Sequence, residues 1–198
     1  MHLAGVAIPR ERSELRSRST VIFCSKAIGF SVLIALSARL QFPVPGTVVP
    51  ATLQSFAVLV SGGVLGSWGG LLAVFTYLSA GLTGAPIFAL GGGPAYLLGP
   101  TGGYLIGFLP TAWLAGYFRG RCRGVWSLFG GFVLATLVLH LAGWLQLSAI
   151  VGPRDGFRMG FLTFLPWDIL KSLVAAAAVT GLYGRTSPVG GRKEQRLP

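Results

Sequence analysis

Charge is scarce in this sequence. Only 11% of its 198 residues are Asp, Glu, Lys or Arg, against about 25% in a soluble domain. Just 5 are acidic. That excludes a water-facing surface of ordinary size and with it a large soluble domain. Cysteine is nearly missing as well. Cys24 falls at the inner end of the first apolar segment and Cys122 in a loop on the same, reducing side, so no disulfide and no metal site is expected. Cys122, between Arg121 and Arg123, reads as an incidental exposed thiol. The glycine-rich stretch lacks the Lys-Ser/Thr pair that must follow a phosphate-cradling loop, since Gly103 is followed by Tyr104 and Leu105. Without a strand before it, a dinucleotide fingerprint fails too. Nothing in the chain would hydrolyse ATP.

Apolar residues make up 53% of the chain. At roughly 20 residues per bilayer crossing, the sequence accommodates six spans: about 20–40, 51–66, 69–84, 95–118, 125–147 and 160–183. The 30 glycines sit within apolar runs, where small residues let helices approach closely. The expected fold is an all-α integral membrane protein with six transmembrane helices and irregular outer loops covering a ligand pocket. Residues 1–19 and 184–198 form basic cytoplasmic tails around a membrane domain at 20–183. The net charge of +11 does not point to nucleic acid, because the cations cluster at the ends of apolar segments. With both termini inside, the inner segments hold Arg10, Arg12, Arg16, Arg18 and Lys26, then Arg119, Arg121 and Arg123, then Arg185, Arg192, Lys193 and Arg196. The outer loops hold only Arg39, Arg154 and Arg158, which follows the positive-inside rule. The first span reads as a retained helix, not a cleaved signal, despite Ala35, Ser37 and Ala38 at its end.

Three stretches interrupt the apolar helices. Gln41 to Pro50, leading to Thr52 and Gln54, has three prolines that preclude a continuous helix. Gly84 to Tyr104 is rich in Gly and Pro, and such backbone at membrane depth must be covered by protein or line a cavity. The third is Phe164-Leu-Pro-Trp-Asp-Ile-Leu-Lys171. Pro166 opens a helix, Asp168 lies in its dipole-favoured first turn, and Lys171 follows three residues later on the same face. Charges inside a membrane cost about 2.5 to 3.5 kcal/mol each when exposed to lipid and usually mark function; the plain structural reading is an internal ion pair. His140 reads first as a satisfied structural imidazole, with ligand contact as the alternative. Gln54 could meet a ligand or a freed carbonyl. Among the aromatics that could form an interfacial belt, Tyr104 and Trp167 adjoin irregular or charged stretches, where a ring could stack on a flat ligand. Ala27, Ser31 and Ala35 form a small-residue strip on span one, suited to packing either within the molecule or onto a second protein.

These motifs, in this order, closely resemble the BioY family of bacterial biotin transporters: Pro50-x-Thr-x-Gln54, Gly84-x-Pro86-x-Phe88, Leu98-Gly-Pro-Thr-Gly-Gly-Tyr104 with Gly107-Phe108, and Phe164-x-Pro-x-Asp168-x-x-Lys171. The resemblance covers about residues 20–183. It implies a substrate-capture (S) subunit of an energy-coupling-factor transporter in the bacterial inner membrane, with Asp168 and Lys171 contributing to biotin binding. It also implies docking of Ala27, Ser31 and Ala35 onto a transmembrane coupling subunit, with ATPase subunits supplying energy and no cofactor of its own. Where some relatives carry an Asn and an Arg as ligand contacts, this chain has Gly91 and Leu105. A mostly apolar pocket with a few oriented polar groups suits biotin's ureido ring, apolar thiophane body and carboxylate. Asp168 and Gln54 are expected to address one polar end and Lys171 the other, with Tyr104 and Trp167 walling the ring. The alternatives are a capture subunit for another vitamin, or an intramembrane enzyme built on Ser61 and His140. The second is disfavoured because Leu59 stands where a glycine would precede such a serine.

Overall fold

The computed structural model describes residues 10–184, and side chains from 18 to 183. Residues 1–9 and 185–198, most of the two expected tails, lie outside the described residues. The chain is mostly helical. α1 (Arg10–Arg39), α2 (Gln54–Leu82), α3 (Gly102–Arg121), α4 (Val125–Val151), a short α5 (Pro153–Gly156) and α6 (Leu165–Gly184) follow in order. A 3-10 turn at Pro94–Leu98 precedes α3, and a π-helical turn at Phe157–Leu162 precedes α6. The proline stretch after α1 is closed by a small antiparallel ribbon, β1 (Gln41–Phe42) with β2 (Ala51–Thr52). An isolated antiparallel bridge between Phe88 and Gly91 lies in the loop after α2.

α1 begins ten residues earlier than the expected span, because the polar segment before Arg18 continues the helix; its apolar part is Arg18–Arg39. Four segments among the described residues are long and apolar enough to cross a membrane: Arg18–Arg39, Gln54–Leu82, Val125–Val151 and Pro153–Tyr183. Their outward faces carry exposed Ile28, Val32 and Leu36 on α1, Leu141 and Leu145 on α4, and Leu170 and Val174 on α6. Helices that are apolar both inside and outside are those of a membrane protein. The chain is a multi-pass membrane protein.

α2 is not one straight rod. Gly66 has φ 76° and ψ 176°, outside the helical region, a conformation open to glycine because it lacks Cβ. The chain doubles back there. Gln54 hydrogen-bonds Tyr77 at 2.6 Å, although residues so far apart in a straight helix would be separated by about 35 Å. The two arms, 54–65 and 67–82, are about 18 and 24 Å long. This turn falls where the sequence reading placed the gap between its second and third spans.

Small residues draw the arms together and onto α3. A Cβ added at Gly70 would lie 2.6 Å from Gly62 Cα, one at Gly62 2.1 Å from the Ala112 carbonyl oxygen, and one at Gly116 2.1 Å from the Ser67 backbone nitrogen. Around this seam lie two apolar clusters. Ile34, Val74, Tyr77, Phe88 and Leu139 belong to one, and Leu59, Ala115, Phe132, Ala176 and Val179 to the other. Ala27 and Ser31 are buried, and half-buried Ala35 packs against the first cluster. Their strip therefore serves packing within the chain, one of the two uses its spacing allowed. Buried Ala27 and Ser31 offer little surface to a second protein.

Replacing Gly116 with Val should lower stability in detergent by about 1–3 kcal/mol, because the blocking atoms are backbone and cannot step aside. Gly130→Ala should cause no loss in the same thermal unfolding assay and a gain of at most about 1 kcal/mol, since its Cβ would meet nothing within 4 Å and alanine favours the helix over glycine.

Candidate functional site

Four helices and two loops converge on one small cavity of about 60 Å³. α6 contributes Asp168 and Lys171, the start of α2 gives Gln54 and Ser55, α4 gives Leu139 and His140, and α3 gives Tyr104, Leu105 and Phe108. Residues 49–52 and the loop residues Ala89 and Tyr96 complete the wall. The lining is largely apolar, and among the described residues Lys171 is the one Lys or Arg in it.

Asp168 is 6% exposed and is compensated from three helices. Ser55 donates its hydroxyl to Oδ1 at 2.7 Å, Lys171 Nζ donates to the same oxygen at 2.7 Å, and His140 Nε2 lies 3.0 Å from Oδ2. Lys171 also donates to the Thr52 carbonyl oxygen at 2.6 Å and reaches Ser55 Oγ at 3.3 Å. Three acceptors thus surround the three N–H bonds of one ammonium. Below the pair, Ser172 Oγ donates to the Asp168 carbonyl oxygen at 2.7 Å and lies 2.9 Å from Thr136 Oγ1. These contacts tie the first turn of α6 to α4.

Gln54 is held by its neighbours. Its N–H donates to Thr52 Oγ1, its side-chain oxygen accepts from that hydroxyl, and its Nε2 donates to Tyr77. Tyr104 donates to the Gly160 carbonyl oxygen at 2.8 Å. Its ring fills a slot that side chains at Gly143 and Gly160 would block, with Cβ atoms at 2.3 and 2.5 Å. Gly102 and Gly103 have a packing role: a Cβ at Gly103 would lie 2.4 Å from the Ala142 carbonyl oxygen. Gln146 fastens the loop just before them by donating to the carbonyls of Leu97 and Gly99.

Asp168, Lys171, Gln54 and Tyr104 thus meet at one cavity, but Trp167 does not join them. It is 62% exposed and lines an adjoining apolar groove on the outer surface with Phe42, Pro45 and Leu170, which shares Lys171, Thr52 and Ala51 with the cavity. The reason is helical phase: a step of about 100° separates Trp167 from Asp168. Residues 168, 172, 175, 176 and 179 face inward, while 167, 170 and 174 face outward. The expectation that Asp168 and Lys171 address opposite ends of a ligand also meets a geometric obstacle, since their charged atoms are 2.7 Å apart. Leu105 adds an apolar wall to the cavity, whereas Gly91 is not part of it.

Ser55 and His140 are the residues that sequence reasoning undervalued. His140 is fully buried, edge-on to Tyr104 with ring centroids 6.2 Å apart. Its Nδ1 has no hydrogen-bond partner among the described residues. Ser61, the imagined nucleophile, donates instead to the Val58 carbonyl oxygen of its own helix.

A family model described as the BioY family matches residues 12–187. A protein of Pyrococcus horikoshii named probable biotin transporter BioY is 40% identical over 139 residues, covering 70% of this chain and 83% of that protein. The biotin transporter BioY of Rhodobacter capsulatus is 35% identical over 171 residues, covering 79% of this chain and 87% of that one. The crystal structure of the S-component for biotin from an ECF-type ABC transporter is similar at a TM-score of 0.78 and 25% identity, covering 86% of this chain and 94% of that one.

The buried pair makes a double-mutant cycle informative. Asp168→Asn and Lys171→Met should each destabilise the protein in thermal unfolding, and the double variant should lose less than their sum. The coupling energy should be on the order of 1–3 kcal/mol; additivity would mean that the two charges do not support one another.

Proposed function

Because the chain belongs to the BioY family, we propose that it captures biotin and delivers it across the membrane as the S component of an ECF-type transporter. The observation that carries this reading is the pair of buried Asp168 and half-buried Lys171, within a helical membrane protein yet lining an apolar cavity. A sealed structural pair would have no reason to border that space.

The pair acts on one polar end of the ligand. Biotin's ureido ring presents N–H donors beside a carbonyl acceptor, and an adjacent carboxylate and ammonium complement that edge. The carboxylate of biotin fits this spot less well, because it would approach Asp168 as closely as Lys171. Binding asks Lys171 to exchange its longest contact, the 3.3 Å one to Ser55, for the ligand carbonyl. His140 Nδ1 and the Ser55 hydroxyl are the further polar groups within this cluster, Gln54 braces the loop through Thr52 and Tyr77, and Tyr104, Leu105 and Phe108 wall the apolar body. Trp167 has no part in this binding mode.

The two arms of α2, together with α1, α3, α4 and α6, supply six crossings, with the outer loops covering the cavity. The arms are shorter than the roughly 30 Å hydrocarbon core, and the ribbon and loops extend that end of the molecule. The arginines at the end of α3 and in the loop to α4 support a cytoplasmic inner face of a bacterial inner membrane, with both termini on that side. Uptake against a gradient needs free energy from elsewhere; a transmembrane coupling subunit and ATPase subunits supply it. The exposed face of α1 around Ile28, Val32 and Leu36 is better placed to meet that subunit than buried Ala27 and Ser31; half-buried Ala35 is intermediate.

Titration calorimetry on the purified protein tests the binding mode. Lys171→Ala should weaken biotin at least tenfold, as expected for a hydrogen bond to a charged group worth about 1.5–3 kcal/mol. Trp167→Ala should change affinity less than twofold. Biotin methyl ester should bind within about fivefold of biotin, while 2-iminobiotin, altered at the ureido edge, should lose tenfold or more. The reverse order would assign Lys171 to the carboxylate, and a Lys171→Ala affinity within twofold of the parent would remove the pair from the site.

A further inference from the structure

A second crevice lies at the opposite end of α6 from Asp168, between the last turn of α3, the start of α4 and the end of α6. Arg119, Arg123, Cys122, Gly124, Thr180 and Tyr183 line about 240 Å³ of space there. Among the described residues two arginines line it and no carboxylate does. Neither arginine has an ion pair among the described residues. Arg119 is held in place by Tyr183, its guanidinium carbon 4.1 Å from the ring centroid, and Tyr183 is fixed in turn by donating to the Val64 carbonyl oxygen at 2.5 Å. The Arg119 Nε–H is buried with no hydrogen-bond partner among the described residues. An oriented guanidinium with an unsatisfied inner donor is incomplete without an acceptor.

The backbone adds to the same field. α4 starts directly at the crevice with Gly124 before it and no side-chain cap, so its free N–H groups and positive dipole end act together with the arginines. Thr180 adds a hydroxyl. Below, Leu128 gives an apolar floor, and Trp126, 73% exposed beside the crevice, is the kind of ring that settles at headgroup level in a bilayer. Cations, amide donors, an apolar floor and an interfacial ring together match a phosphate that arrives attached to acyl chains. Basic pockets between helices at the membrane surface bind anionic headgroups in this way, and arginine suits phosphate because its N–H bonds form a planar fork.

We propose that this crevice is a binding site for the phosphate of an anionic phospholipid headgroup, with Arg119 and Arg123 as its ligands. The site is independent of the biotin cavity, so biotin affinity serves as the control for folding. The test is native mass spectrometry of the full-length protein in mild detergent, titrated with dioleoylphosphatidylglycerol, dioleoylphosphatidylcholine or inorganic phosphate. Phosphatidylglycerol should be retained saturably and at least fivefold more tightly than phosphatidylcholine. Arg119→Gln with Arg123→Gln should weaken it at least fivefold while biotin affinity stays unchanged. Should that pair of changes impair folding, Arg123→Glu alone, at an exposed position, should produce the same loss. Retention of the lipid in millimolar phosphate assigns the headgroup as ligand, whereas its displacement assigns free phosphate and overturns the lipid. Equal retention of the two lipids, or phosphatidylglycerol binding undiminished by Arg123→Glu in folded protein, would overturn the site altogether.

Discussion

A carboxylate buried among membrane helices must be compensated wherever it sits, and that requirement organises this molecule. Desolvating an ion costs several kcal/mol, returned only with good geometry and further hydrogen bonds. Asp168 obtains both from Ser55 on α2 and His140 on α4, far away in sequence, and from Lys171 on its own helix. The contacts to Ser55 and His140 fix α6 relative to α2 and α4. The same contacts keep polar atoms at the edge of an apolar space, where a ligand can exchange with them without leaving a charge unpaired.

The cavity also depends on what happens away from it. Along the seam of Gly62, Gly70, Ala112 and Gly116 the helices approach almost backbone to backbone. Around the cavity, larger residues such as Phe108, Tyr104 and Phe164 line the space. Tight packing along the seam and bulky side chains beside the cavity leave room that no side chain fills. In a membrane, where burying apolar surface between helices gains little over lipid, such van der Waals contact is what holds the helices together.

Much of this was legible from local pattern. The i, i+3 spacing of Asp168 and Lys171 put both charges on one face, the prolines of 43–50 excluded helix, and the break near Gly66 fell between two apolar runs. The partners of Asp168 were not legible, because His140 and Ser55 lie 28 and 113 residues away and nothing local signals that they converge. His140 looked like an ordinary core imidazole until its neighbours were known. Trp167 is a different case. Its aromatic ring beside a charged residue suggested a wall of the site, yet the helical phase of the inward set 168, 172, 175 and 179 already turns it toward lipid. Adjacent positions on a helix do not share a face, and the spacing of small residues on α1 could not by itself separate internal packing from docking.

Affinity for one particular vitamin is the step that joins the buried pair to transport. The most direct measurement is native mass spectrometry of the protein extracted from cells grown with biotin, read for the small molecule that leaves with it. The account predicts one biotin per chain in the parent protein and none when Asp168→Asn and Lys171→Met are combined. A different compound in the parent, or biotin retained by the double variant, would contradict it.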